Sequence, residues 1–140
     1  MARYVDIPSN MQVIGNIFLN PNLIDNENYT FYEEDFTESI HKVMFGAIYN
    51  LHVLGTKVID LQTIEDYLTV RPKEYAVYKA NNGRELLNKI KDNVSLSSFD
   101  YYYQRMRKMT LILSWNVLIP MISAVNSSRT ALSIIPSLQV

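Results

Sequence analysis

The 140-residue chain contains no cysteine. Disulfides and thiolate metal sites are therefore excluded, which fits a cytoplasmic protein. Glycine is scarce as well, at four residues. Neither a GxxxxGK[ST] phosphate loop nor a GxGxxG turn can be assembled from them. No alternating apolar–polar run of strand length is present. The opening MARYVDIPSN has Asp6 and Pro8 where a secretory signal needs an apolar core, so export is not expected. Charge of one sign is lacking only in sum. Net charge is −1, yet residues 1–70 carry three Lys/Arg against ten Asp/Glu, and residues 71–108 carry nine against four. Such asymmetry suits two differing solvated faces, or contact with a charged partner or a second subunit.

What is present is helical. The length is that of one domain, and 48% apolar residues suffice for a core. Ser9 or Asn10 is placed to cap a first helix through Leu19, with Met11, Ile14, Ile17 and Phe18 at helical spacing. Asn20-Pro21 stops it, and a short turn follows. A long amphipathic helix is expected from Glu33 to Leu54, its start crowded by Glu33, Glu34, Asp35 and Glu38, where the helix dipole favours negative charge. Gly55 is a left-handed stop. Asp60 then caps a helix holding Leu61, Ile64, Tyr67 and Leu68, bounded by Pro72. A weaker helix spans Lys73 to Ala80, and Leu86, Leu87 and Ile90 mark another. Ser97 or Ser98 caps a final helix from Phe99. Met109 to Ser128 carries no charge for twenty residues. Pro120, Asn116 and several serines make it a poor membrane span, and a packed helix end with a loose tail is expected instead.

Candidate chemistry is sparse. His41 and His52 lie on one face of the long helix but about 16 Å apart along its axis, too far to share a metal, and read as surface or flank residues. The acidic cluster lacks the glycine and spacing of a calcium loop. The run Tyr101 to Lys108 (YYYQRMRK) has the composition of a nucleic-acid contact. On a helix, however, Tyr102, Met106 and Met109 share an apolar face while Arg105 and Lys108 are solvated, which favours packing.

Three blocks then carry a resemblance. Asn10 to Pro21 (NMQVIGNIFLNP) offers Val13, Ile14, Gly15 and Pro21. The second block places Phe36, His41, Phe45, Ala47, Ile48, Leu51, Gly55, Asp60, Thr63 and Leu68 at matching offsets. The third is NNGRELLNKIKDNVSLSSFDYYYQRMRKMTLI, from Asn81 to Ile112. Together they resemble the N-terminal domain of DnaB-type replicative DNA helicases, in particular phage and low-GC Gram-positive forms. Asn10 departs from the family's usual glutamate.

The resemblance implies an all-α, compact multi-helix domain over residues 1–112 with a C-terminal helical hairpin. It implies a non-catalytic assembly and partner-binding role in DNA replication, with no catalytic residue, metal or cofactor in this chain; ATP and Mg2+ belong to a separate motor domain. Expected partners are further copies of itself (a dimer, or a trimer of dimers in a hexamer) and a primase or helicase loader, with no membrane and no DNA contact predicted. The pairing surface is expected on Leu86, Leu87, Ile90, Phe99, Tyr102, Tyr103 and Met106. Residues 113–140 diverge from the family's charged linker as an apolar tail. Read one base back, the codons for Trp115-Asn116 and Met121-Ile122 force acidic residues, so a frame change is one origin for it. A stand-alone phage regulator of a host helicase or primase is the alternative reading.

Overall fold

The computed structural model describes the backbone of residues 7–126 and the side chains of residues 7–112. The described residues form α-helices and short 3₁₀ turns, with no strand among them. In chain order the helices are α1 (Ile7–Leu19), α2 (Ser39–Val53), α3 (Leu61–Thr69), α4 (Pro72–Ala80), α5 (Gly83–Asp92) and α6 (Phe99–Asn126). Contacts divide the chain into a body that ends at Arg107 and a second unit from Lys108. Helix α6 begins in the first and continues into the second.

Local chemistry sets several helix ends as the sequence suggests. Asp60 Oδ1 accepts the Thr63 N–H at 2.9 Å, and Thr63 Oγ1 accepts the Asp60 N–H at 2.8 Å, a reciprocal box at the start of α3. Gly55, at φ +86, closes α2. Its N–H bonds the His52 carbonyl, and the Thr56 N–H reaches back to the Leu51 carbonyl, both at 3.0 Å. Pro72 opens α4 at a first-turn position, where its missing N–H costs nothing. A 3₁₀ turn over Leu96–Ser98 leads into α6.

Two helix starts differ from the sequence reading. Helix α1 already includes Ile7 and Pro8, and Ser9 and Asn10 lie within it, buried rather than capping. Asn10 instead donates from Nδ2 to the Asp35 carbonyl at 2.9 Å. The helix expected from Glu33 is also interrupted. Glu33–Asp35 form a 3₁₀ turn, Phe36 is extended, and α2 starts at Ser39. Asp35 is the cause. Its side chain is fully buried, one oxygen accepts the Tyr32 N–H at 3.0 Å, and the other pairs with the Arg107 guanidinium. That guanidinium lies 4.4 Å from the Tyr32 ring centroid. One acid of the cluster is thus a structural charge inside the body, while Glu33, Glu34 and Glu38 stay exposed.

The core is built from one stripe of each helix. Val13, Ile14 and Ile17 of α1 meet Met44 and Ile48 of α2, Ile64 and Leu68 of α3, and Leu87 and Ile90 of α5. A Cβ on Gly15 would lie 2.4 Å from Val94 Cγ1 and 2.9 Å from Ile90 Cγ2, so only glycine lets α1 sit this close to α5. The start of α6 closes the far side. Phe99 and Tyr103 meet Tyr29 edge-on, at 4.9 and 4.7 Å between centroids, and Phe31 bridges from Tyr103 to Phe45 at 5.6 and 5.7 Å. The Tyr103 hydroxyl also accepts the Thr30 N–H and donates to the Thr30 carbonyl, each at 2.9 Å.

A polar hub ties α3, α4 and α5 together. Arg84 grips Glu65 through Nε and Nη2, at 2.9 and 3.0 Å, and the Tyr78 hydroxyl donates to Oε2 of the same carboxylate at 2.8 Å. Arg84 holds the Glu65 carboxyl below its usual range, against the opposing effect of burial. Burial, reinforced by Glu65, pushes the Tyr78 phenol upward.

His41 is buried in the first turn of α2, not on the surface as the sequence suggests. Its Nδ1 has no hydrogen-bond partner among the described residues. Burial lowers its pKa from the ordinary 6.5, only partly offset by the nearby Glu38 charge. The unfolded chain therefore takes up this proton first. Stability is complete above the unfolded value and falls as pH drops below it. Urea midpoints measured between pH 7.5 and 5 should decline, and the slope should flatten in His41→Gln.

The Asp35–Arg107 pair yields a second expectation. Arg107→Met leaves a buried carboxylate uncompensated and should cost about 3–5 kcal/mol in chemical denaturation. Adding Asp35→Asn should recover part of that loss. A single variant as stable as the wild type contradicts the assigned role of the pair.

Candidate functional site

The structure takes most of the expected pairing surface into the body itself. Leu87, Ile90, Phe99, Tyr103 and Met106 are buried core residues, so they present no surface. Their partners are intramolecular, for α5 packs on α1 and α4 while Phe99 and Tyr103 pack on the Tyr29–Phe31 segment. Leu86 and Tyr102 are half-buried against the same core. The apolar face of α6 within the body is Phe99, Tyr103 and Met106, one position round from the expected Tyr102–Met106–Met109 line. Arg105 and Lys108 are exposed, as expected of a solvated face.

Exposed apolar side chains lie elsewhere. Val53, Leu54 and Val58 surround the Gly55 turn, and Tyr101 projects from the first turn of α6. In the second unit, Leu111 and Ile112 of α6 are 60% and 40% exposed. Contiguous exposed apolar surface, rather than single residues, marks an interaction site, and Leu111 and Ile112 are adjacent.

A concavity of about 510 Å³ runs between α2 and the α3–α4 corner. Its walls are Val43 and Ala47 of α2 against Leu68 and Val77. Gly46 lies at its floor, where an added Cβ would meet nothing within 4 Å. Lys42, Arg71 and Lys73 stand on the rim with Glu33 and Glu74. Arg71 is held in place. Its guanidinium carbon lies 3.6 Å from the Tyr67 ring centroid, and Nη1 donates to the Tyr67 carbonyl at 2.6 Å. Tyr67 is fixed in turn, its hydroxyl accepting from Asn50 Nδ2 at 2.7 Å. Sequence reasoning missed this groove. Its only sequence signal is a glycine in the middle of a strongly periodic helix, where alanine would be more stable.

Among the described residues no cluster of His, Cys, Asp and Glu is arranged to hold a metal. His52 pairs with Asp25 at 2.7 Å across the surface, and His41 is enclosed by the core. No described helix is long and apolar enough to cross a membrane. Side chains from 113 onward, which include most of the uncharged run, lie outside the described residues, as does the whole of 127–140.

Residues 3–108 match the family described as DnaB-like helicase N terminal domain. The chain is similar to YorI, an SPbeta prophage-derived uncharacterized protein of Bacillus subtilis strain 168, at 32% identity over 103 residues. That similarity covers 73% of this chain and 20% of YorI, so the chain spans about a fifth of the relative's length. No solved structure matches it. With most of the length matched, across α1 to the start of α6, the chain belongs to the DnaB-like helicase N-terminal domain family.

Proposed function

We propose that this domain is a non-catalytic assembly and partner-binding module of a replicative DNA helicase system. Family membership supports the helicase setting. One structural observation carries the assembly part, namely the exposed Leu111 and Ile112 on α6 just past the end of the body. Adjacent aliphatics left in water on a helix gain by pairing with a second copy, about 25 cal/mol for each Å² of apolar surface covered. The module works in the bacterial cytoplasm, and its further partner is a primase or helicase loader. It uses no cofactor of its own.

The prophage origin of YorI supports a second reading, a phage-encoded regulator that binds a host helicase or primase. The encoding DNA separates the two. An open motor domain in the same or the minus-one frame favours the first reading, and its absence favours the second.

Sedimentation of the full chain tests assembly. A concentration-dependent dimer or larger species is expected, and Leu111→Lys with Ile112→Lys should shift it to monomer with unchanged helical circular dichroism. A wild type that stays monomeric at high concentration defeats the assembly reading. An ATPase assay on the same material should read no turnover above buffer, and hydrolysis lost on mutation of the chain would defeat the non-catalytic one.

A further inference from the structure

We infer that the groove between α2 and the α3–α4 corner is a docking site for an amphipathic helix of a partner protein, with carboxylates beside its apolar ridge. The inference deepens the partner-binding reading above and rests on it. Three observations carry it.

The first is shape. The groove follows helix α2, and Gly46 and Ala47 leave its floor without bulk. Small residues at that point let a second helix approach with its side chains between the walls, in the manner of helix-in-groove recognition. A volume of about 510 Å³ takes several apolar side chains at once.

The second is charge. Lys42, Arg71 and Lys73 carry no ion pair among the described residues. Arg71 is already oriented by Tyr67, so little rotamer freedom remains to be lost when a carboxylate arrives. The three cations outnumber the two rim acids, Glu33 and Glu74. Carboxylates placed beside the cations are attracted, and a lysine-flanked helix meets repulsion.

The third observation concerns nucleic acid as the competing occupant. The walls are mostly aliphatic, and the Phe45 ring among them is buried against Phe31 and Phe36, whereas bases stack on accessible aromatic faces. The face of Tyr67 is occupied by Arg71. Glu33 and Glu74 interrupt any continuous track for a phosphate backbone.

The test uses fluorescence anisotropy with the full chain and three labelled probes. One is a 16-residue helical peptide with leucines at i, i+3/i+4 and i+7 flanked by glutamates. The second is the same peptide with lysines for glutamates, and the third is a 15-nucleotide oligothymidine. The acidic peptide should bind at least tenfold tighter than the basic one and weaken with salt. Gly46→Leu, which fills the floor, should lose at least tenfold, with helicity checked by circular dichroism. The exposed-site variant Lys73→Glu, which leaves the core untouched, should lose at least threefold. Equal binding of the two peptides, no binding of the acidic one, tighter binding of the oligonucleotide, or an unaffected Lys73→Glu each overturns the inference. Sedimentation is read without peptide, so a failure of self-assembly and a failure of the groove are told apart.

Discussion

A carboxylate with no exposed surface cannot stand alone in a protein interior, and Asp35 is such a carboxylate. Its partner, Arg107, is the last residue of the body, 72 positions along the chain. Pairing the two fixes the first turns of α6, up to Arg107, in position and rotation, and Phe99, Tyr103 and Met106 then fall onto the core. The same carboxylate draws the Tyr32 N–H inward and breaks the chain between Glu33 and Ser39. One buried charge thus decides where α2 begins, how α6 is seated and which aromatics meet.

The fold was largely legible where its causes are local. Asp60 with Thr63 and Gly55 after Leu54 are set by residues a few positions apart and stand where the sequence suggests, while Pro72, expected to bound α3, also opens α4. The start of α2 was not legible, because Phe36 continues the apolar period of Ile40 and Met44 although it is extended. What interrupts the helix is an arginine 72 positions away. His41 was misread for a related reason, since periodicity reports a face and not the depth of its burial.

The candidate surface was legible least. An apolar stripe on a helix looks the same whether it meets another chain or a distant part of its own. Leu87 and Ile90 satisfy their stripe against α1, and Phe99 and Tyr103 theirs against Tyr29 and Phe31. The exposed features among the described residues lie elsewhere. Aliphatics stand exposed on α6 and about the Gly55 turn, and Lys42, Arg71 and Lys73 line the groove beside α2.

The hydroxyl of Tyr103 holds both the N–H and the carbonyl of Thr30, as a neighbouring strand would. A loop outside any helix borrows that pairing from a single phenol on α6. Exchange of the Thr30 amide with solvent is therefore coupled to the seating of the first turns of α6. This one proton, far from it in sequence, reports on the helix that leads out of the body.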